Sequence, residues 1–173
     1  MDVILVDEYD VPVGAMEKIE AHQKALLHRA FSIFIFNTKG EMLLHKRADK
    51  KYHSAGLWSN ACCSHPQPGE NDLTTAQRRL KEEMGFSTKL KKAFDFIYIA
   101  PFENGLTEHE FDHVFLGVYE GAIVLDENEV SEYYYAAPQK IEKDIERNPQ
   151  KYTVWFTIAF PKVMEYLAAH SIS

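Results

Sequence analysis

Asp72-Leu73-Thr74-Thr75-Ala76-Gln77-Arg78-Arg79-Leu80-Lys81-Glu82-Glu83-Met84-Gly85 is the stretch of this chain whose periodicity decides the most. Leu73, Ala76, Leu80 and Met84 recur at three- and four-residue intervals, which lines one side of a helix over 72–84 with apolar groups. Gly85 follows where a left-handed residue ends a helix. Arg78, Arg79, Glu82 and Glu83 are expected on the opposite face. Such a helix needs a surface to cover, and the flanking sequence supplies strands.

Upstream, residues 3–6 read as a strand, and residues 28–37 and 41–47, joined by Thr38-Lys39-Gly40, read as a hairpin. Downstream, strand patterns at 94–100, 109–119 and 130–136 precede helical patterns at 138–147 and 151–170. Pro161 interrupts the last of these and predicts a kink or a restart. Pro12-Val13-Gly14 and Pro66-Gln67-Pro68-Gly69 read as turns. No repeat or linker divides the chain, and the elements lack a strict βαβ rhythm. The expectation is one α/β domain of mixed α+β character over residues 1–173, with a mixed β-sheet sandwiched between helices.

A chain of 173 residues, 46% of them hydrophobic, can bury one substantial core but is short for two. Met1-Asp2-Val3 is acidic where a secretory leader is basic, and no apolar run approaches the roughly 18–20 residues that span a bilayer. A soluble, cytoplasmic protein with no membrane partner is therefore expected, as a monomer or weak dimer. Cys62 and Cys63 are neighbours, a spacing that strains a disulfide, so both are expected as free thiols. A net charge of −7 argues against nucleic acid, whose phosphates call for a broad positive face. An anionic ligand would need a local basic cluster. Lys46-Arg47-Ala48-Asp49-Lys50-Lys51 qualifies, with a solvated loop as the plainer alternative.

Glu108 and Glu110 are two apart in a strand pattern, so both side chains point to one face and could reach one cation, while His109 points away. On an exposed strand they would simply be solvated. Imidazole is a common ligand for divalent metals, and His22, His28 and His65 lie where a fold could gather them. Three histidines and two carboxylates would suit a six-coordinate ion with a position to spare. His45, His53, His113 and His170 are expected as ordinary surface or hydrogen-bonded core residues.

Trp58-Ser59-Asn60-Ala61-Cys62-Cys63-Ser64-His65-Pro66 sets a thiol two residues from a possible ligand. Within it, Asn60, Cys63, His65 and Pro66 form a pattern that resembles the active-site signature of type I isopentenyl-diphosphate isomerases. The resemblance extends through Glu17-Lys18, His22, Ala30-Phe31-Ser32, Arg47, Lys51, Arg78-Arg79, Glu83, Gly85, Tyr98, Glu108, Glu110 and Trp155, in order over nearly the whole chain. It implies a Nudix fold and the isomerisation of isopentenyl diphosphate to dimethylallyl diphosphate through a carbocation, in isoprenoid biosynthesis. It further implies that His22, His28, His65, Glu108 and Glu110 hold one divalent metal (zinc, manganese or magnesium). Cys63 and Glu108 would transfer protons with Tyr98 beside the carboxylate. Glu83 would meet a magnesium ion that arrives with the diphosphate, Lys18, Arg47, Lys51 and Arg79 would contact the diphosphate, and Trp155 would face the hydrocarbon.

A Nudix hydrolase acting on a diphosphate is the first alternative. Aligning Glu82-Glu83-Met84-Gly85 with the hydrolase box puts Glu70 and Arg78 in place, but Ser64 falls where its first glycine belongs and Arg79 replaces an acidic residue. Losing a carboxylate there weakens metal-assisted water attack, whereas a cation suits diphosphate binding. A catalytically silent module for a phosphorylated ligand is the second alternative. Two departures from the resemblance stand out: the His22-to-His28 interval is short, and Ser64 replaces an expected glycine, which would alter the backbone if that position needed positive φ.

Overall fold

The structure, a computed structural model, describes residues 1–172. In chain order it contains β1 (Asp2–Val6), β2 (Pro12–Glu17), α1 (Lys18–Gln23), β3 (His28–Phe36), β4 (Met42–Arg47), β5 (Trp58–Ser59), β6 (Cys62–Ser64) and α2 (Asp72–Met84). There follow β7 (Leu90–Pro101), β8 (Thr107–Val118), β9 (Val130–Ala136), α3 (Pro138–Arg147) and, after a single 3-10 turn, α4 (Val154–Ala169).

Strand β3 is the spine. Every residue of it except Arg29 is buried, as expected of a strand covered on both faces. It runs parallel to β8, with His28 opposite Glu110 and Phe36 opposite Val118, and β8 pairs antiparallel with β7. The other edge of β3 is shared among β1 at His28, β6 at Phe31–Ile33 and β4 at Phe36, so the expected hairpin is paired only at its base. Strands β2, β5 and β9 complete a mixed sheet.

Alternation along β3 builds the two layers. Phe31, Ile33 and Ile35 pack with Ala76, Leu80 and Met84 of α2, while Phe34 and Phe36 pack with Ile141 of α3 and Phe156, Phe160 and Val163 of α4. Each large side chain buried in this way contributes about 1.5–3 kcal/mol. Among the described residues no helix is long and apolar enough to cross a membrane.

Helix α2 has the expected bounds. Asn71 caps it by accepting from the Thr74 amide, and Gly85 ends it at φ 76. A Cβ at Gly85 would come within 2.4 Å of the Val124 carbonyl oxygen, so close approach as well as conformation requires glycine there. Two expected faces are corrected. Leu73, at the first turn, is 38% exposed, and Glu83 is buried, because it stands three residues after Leu80 and turns towards Cys62 and not to solvent.

Other boundaries differ for local reasons. Strand β7 starts earlier than residue 94, at Leu90, because a bulge between Lys92 and Phe94 breaks its alternation. Pro12-Val13-Gly14 is no turn but the start of β2, an edge strand where proline's missing N–H is tolerated. The chain reverses earlier, where the Asp7 carboxylate accepts from the Tyr9 and Val11 amides. Helix α4 is unbroken at Pro161, which lies on its exposed side, so no restart occurs.

Candidate active site

The ends of β3, β6, β7 and β8 and the helix α1 converge on a cleft of about 310 Å³. Glu17 caps α1 through the Ile19 and Glu20 amides, which fixes the short helix that carries His22. The interval to His28 is short, and Ala25, in a left-handed conformation at φ 54, makes the bend that closes it. The nitrogen Nδ1 of His22 lies 2.6 Å from the Lys18 carbonyl oxygen, and that of His28 lies 2.9 Å from the Leu26 carbonyl oxygen. Donation from Nδ1 leaves the Nε2 lone pair of each ring facing inward.

Those two Nε2 atoms are buried without a hydrogen-bond partner among the described residues. Together with His65 and Glu110 they place four ligand atoms within 4.8 Å of one another. Buried acceptors left unpaired are costly, and a shared cation would satisfy them together, so the donor set fits a divalent metal. Burial also pushes His65 down to about 4 and lowers His22, which keeps both imidazoles neutral, as ligation requires.

Glu108 and Glu110 both turn into the cleft, each 5% exposed, while His109 points away to the Ala25 carbonyl. The Tyr98 hydroxyl joins the pair, donating to Glu110 Oε1 at 2.6 Å and lying 3.3 Å from Glu108 Oε1. Burial, and next the charge of Glu110, push Glu108 well above the ordinary carboxyl range. Burial acts on Glu110 as well, but His65, whose Nε2 lies 2.9 Å from its Oε2, holds it well below that range. Glu108 falls in a second potential ligand group, with His22 and His53.

Cys63 enters from β6, where it pairs with Ser32 of β3. Its thiol donates to Asn60 Oδ1 at 3.2 Å and lies 3.6 Å from Ser32 Oγ, which itself donates to the buried Asp112. Burial, then the nearby Asp112, push the thiol up to about 12. Ser64 sits in extended strand opposite Phe31, so the position needs no glycine. Both cysteines are free.

Cations gather at the mouth of the cleft. Lys51 pairs with Glu129 at 2.6 Å, Arg79 bridges Glu82 and Glu83 at 2.6 Å each, and Arg47 lies 5.1 Å above the Trp155 ring. Burial, followed by repulsion from Lys51, lowers Lys18. The buried Nε atoms of Arg47 and Arg79 have no hydrogen-bond partner among the described residues. An anion with several acceptor oxygens would relieve both the repulsion and the unpaired donors. Trp155 is 4% exposed and packs with Tyr98, Ala100 and Cys63.

Of the residues expected of the site, Lys18, Arg47, Lys51, Cys63, His65, Arg79, Glu83, Tyr98, Glu108, Glu110 and Trp155 line one cleft, and His22 and His28 lie buried against its His65 and Glu110. Glu70 and Glu82 stand apart, each bound to Arg78, and neither joins a potential ligand group among the described residues. Ser32, Asp112, Glu129 and His53 were not foreseen as neighbours of the site. Asp112 had a usable signal, because it is two residues beyond Glu110 on the same strand face.

The NUDIX domain family model matches residues 26–156. The chain is 46% identical over 168 residues to the isopentenyl-diphosphate Delta-isomerase of Pectobacterium atrosepticum, covering 97% of this chain and 94% of that protein. It is 51% identical over 154 residues to isopentenyl-diphosphate Delta-isomerase 2 of Photorhabdus laumondii, covering 89% and 87%. Among solved structures, the MutT protein of Methanosarcina mazei is similar in fold, with a TM-score of 0.67 at 20% identity over 83% of this chain and 96% of that one.

Proposed function

The chain belongs to the NUDIX family and, within it, to the isopentenyl-diphosphate Delta-isomerases, and we propose that Cys63 and Glu108 are its proton-transfer pair. Its reaction turns isopentenyl diphosphate into dimethylallyl diphosphate. A proton adds to the terminal alkene carbon, the π electrons form the new C–H bond, and positive charge collects on the tertiary carbon. A proton then leaves the neighbouring methylene, and its bonding pair becomes the new double bond. Nothing is oxidised, and the diphosphate stays intact.

An alkene is a poor base, so the acid must be held against the π bond in a water-poor pocket and the cation sheltered from water. Cys63 and Glu108 line the same cleft, beside Tyr98 and Trp155, and this is the observation that carries the proposal. Each of the pair donates in one direction of the reaction and accepts in the other. The Trp155 ring faces the hydrocarbon, where an aromatic face stabilises a cation by roughly 0.5–2 kcal/mol. Arg47, Lys51, Lys18 and Arg79 hold the diphosphate, and that anchorage keeps a small, featureless tail in register.

A divalent cation (zinc, manganese or magnesium) would be held by His22, His28, His65 and Glu110, with Glu108 beside them. When bound, it supplies positive charge that keeps buried carboxylates ionised and fixed. Glu83, beside Arg79, would receive a magnesium ion arriving with the diphosphate. The free thiols suit a cytoplasmic location.

Cys63→Ala and Glu108→Gln test the pair. Well-placed acid and base groups are each worth about 10²- to 10⁴-fold, so each variant should lose at least about 100-fold in isomerisation while staying folded. Full activity in either one removes that residue from the pair.

A further inference from the structure

We propose that His53, which has no part in the proton transfer or in the His22, His28, His65 and Glu110 ligand set above, is a positioning residue that holds Glu108 through the second oxygen of its carboxylate. The proposal rests on the assignment of Glu108 to proton transfer. The nitrogen Nε2 of His53 lies 3.9 Å from Glu108 Oε2, whereas the Tyr98 hydroxyl lies 3.3 Å from Oε1. The two oxygens of the reacting group thus face different partners.

The ring itself is fixed. His53 is 7% exposed, stacks on Phe102 at 4.6 Å and 11°, and meets the edge of Trp155 at 5.8 Å. Its Nδ1 lies 3.2 Å from Ser54 Oγ. A serine hydroxyl donating to Nδ1 leaves the ring proton on Nε2, the nitrogen that faces Glu108.

The backbone is committed to this placement as well. Ser54 adopts φ 52, a left-handed conformation unfavourable for a non-glycine residue. The carbonyl of His53 accepts from Arg47 Nη2 at 3.3 Å. Strain of this kind persists where its surroundings demand it, and here it turns a polar ring into the cleft. At 3.9 Å the contact is too long for a hydrogen bond, but catalytic contacts in ligand-free sites commonly tighten once substrate fills them. Held at both oxygens, the carboxyl group of Glu108 would be fixed in rotation and could exchange a proton with one carbon only.

The test compares His53→Phe, which keeps the stacking and removes both nitrogens, with His53→Gln, which keeps a donor. Loss of a supporting hydrogen bond of this kind costs about 10- to 100-fold. The Phe variant should therefore lose about 10- to 100-fold in kcat, with KM for isopentenyl diphosphate and metal content per chain unchanged, and the Gln variant should recover most of the loss. Wild-type kcat in the Phe variant would make His53 a packing wall only. A loss carried by KM, metal lost in step with activity, or a Gln variant no better than Phe would equally overturn the proposal. If circular dichroism shows the Phe variant unfolded, His53→Leu is judged by the same criteria. Glu108→Gln is measured in parallel: activity retained there defeats the assignment of Glu108, whereas an inactive Glu108→Gln beside a fully active His53→Phe defeats the role of His53 alone.

Discussion

Replacing Tyr98 with phenylalanine removes one oxygen atom from the cleft and leaves the ring in place. That hydroxyl donates to Glu110 at 2.6 Å and lies 3.3 Å from Glu108, and both carboxylates are almost wholly buried. A hydrogen bond to a charged group contributes about 1.5–3 kcal/mol. At about 1.36 kcal/mol for each factor of ten, this corresponds to roughly 10- to 150-fold in rate. The hydroxyl touches the carboxylates and not the cationic cluster, so the loss should fall on kcat and leave KM unchanged. Steady-state conversion of isopentenyl diphosphate by Tyr98→Phe, with a thermal melt to show that it is folded, measures both constants. A wild-type kcat, or a loss carried wholly by KM, would refute the placement of proton transfer beside this hydroxyl.

Two further predictions concern the buried imidazoles. His45, hydrogen-bonded to the Asn60 carbonyl, and His65 are each held at about 4 by burial, against an ordinary 6.5. Between those values these two imidazoles therefore bind fewer protons in the metal-free folded protein than in the unfolded chain, and the stability they contribute, full above about pH 6.5, is lost as the pH falls towards about 4. An NMR titration of the folded protein in which either imidazole protonates near its ordinary value would contradict this. Titrating metal-free protein with zinc or manganese should raise its melting temperature, by the equivalent of about 2.7 kcal/mol at a hundredfold excess over Kd. His28→Ala should abolish the rise, and an unchanged rise would show that the ion binds elsewhere.

Much of this arrangement was legible in the sequence because its signals are local. Helix α2 carries its own cap, apolar spacing and terminal glycine, and the two-residue spacing of Glu108 and Glu110 fixes their shared face once β8 is a strand. Shorter or distorted elements were not legible. Helix α1 has six residues, too few to show a period, and the bulge in β7 erases alternation at its start. The burial of Glu83 depends on β6 lying beside α2, a contact between distant segments. His53 is placed by a loop conformation at Ser54 and by the Arg47 guanidinium, neither of which leaves a pattern among its sequence neighbours. Ser32 is likewise brought to Cys63 only by the pairing of β3 with β6.

The most direct measurement incubates the protein with magnesium and isopentenyl diphosphate in deuterated water and follows the product by NMR. Proton exchange through Cys63 and Glu108 predicts dimethylallyl diphosphate that carries solvent deuterium in the newly formed methyl group, with the diphosphate intact. Product free of deuterium, or release of inorganic phosphate without isomerisation, would contradict it.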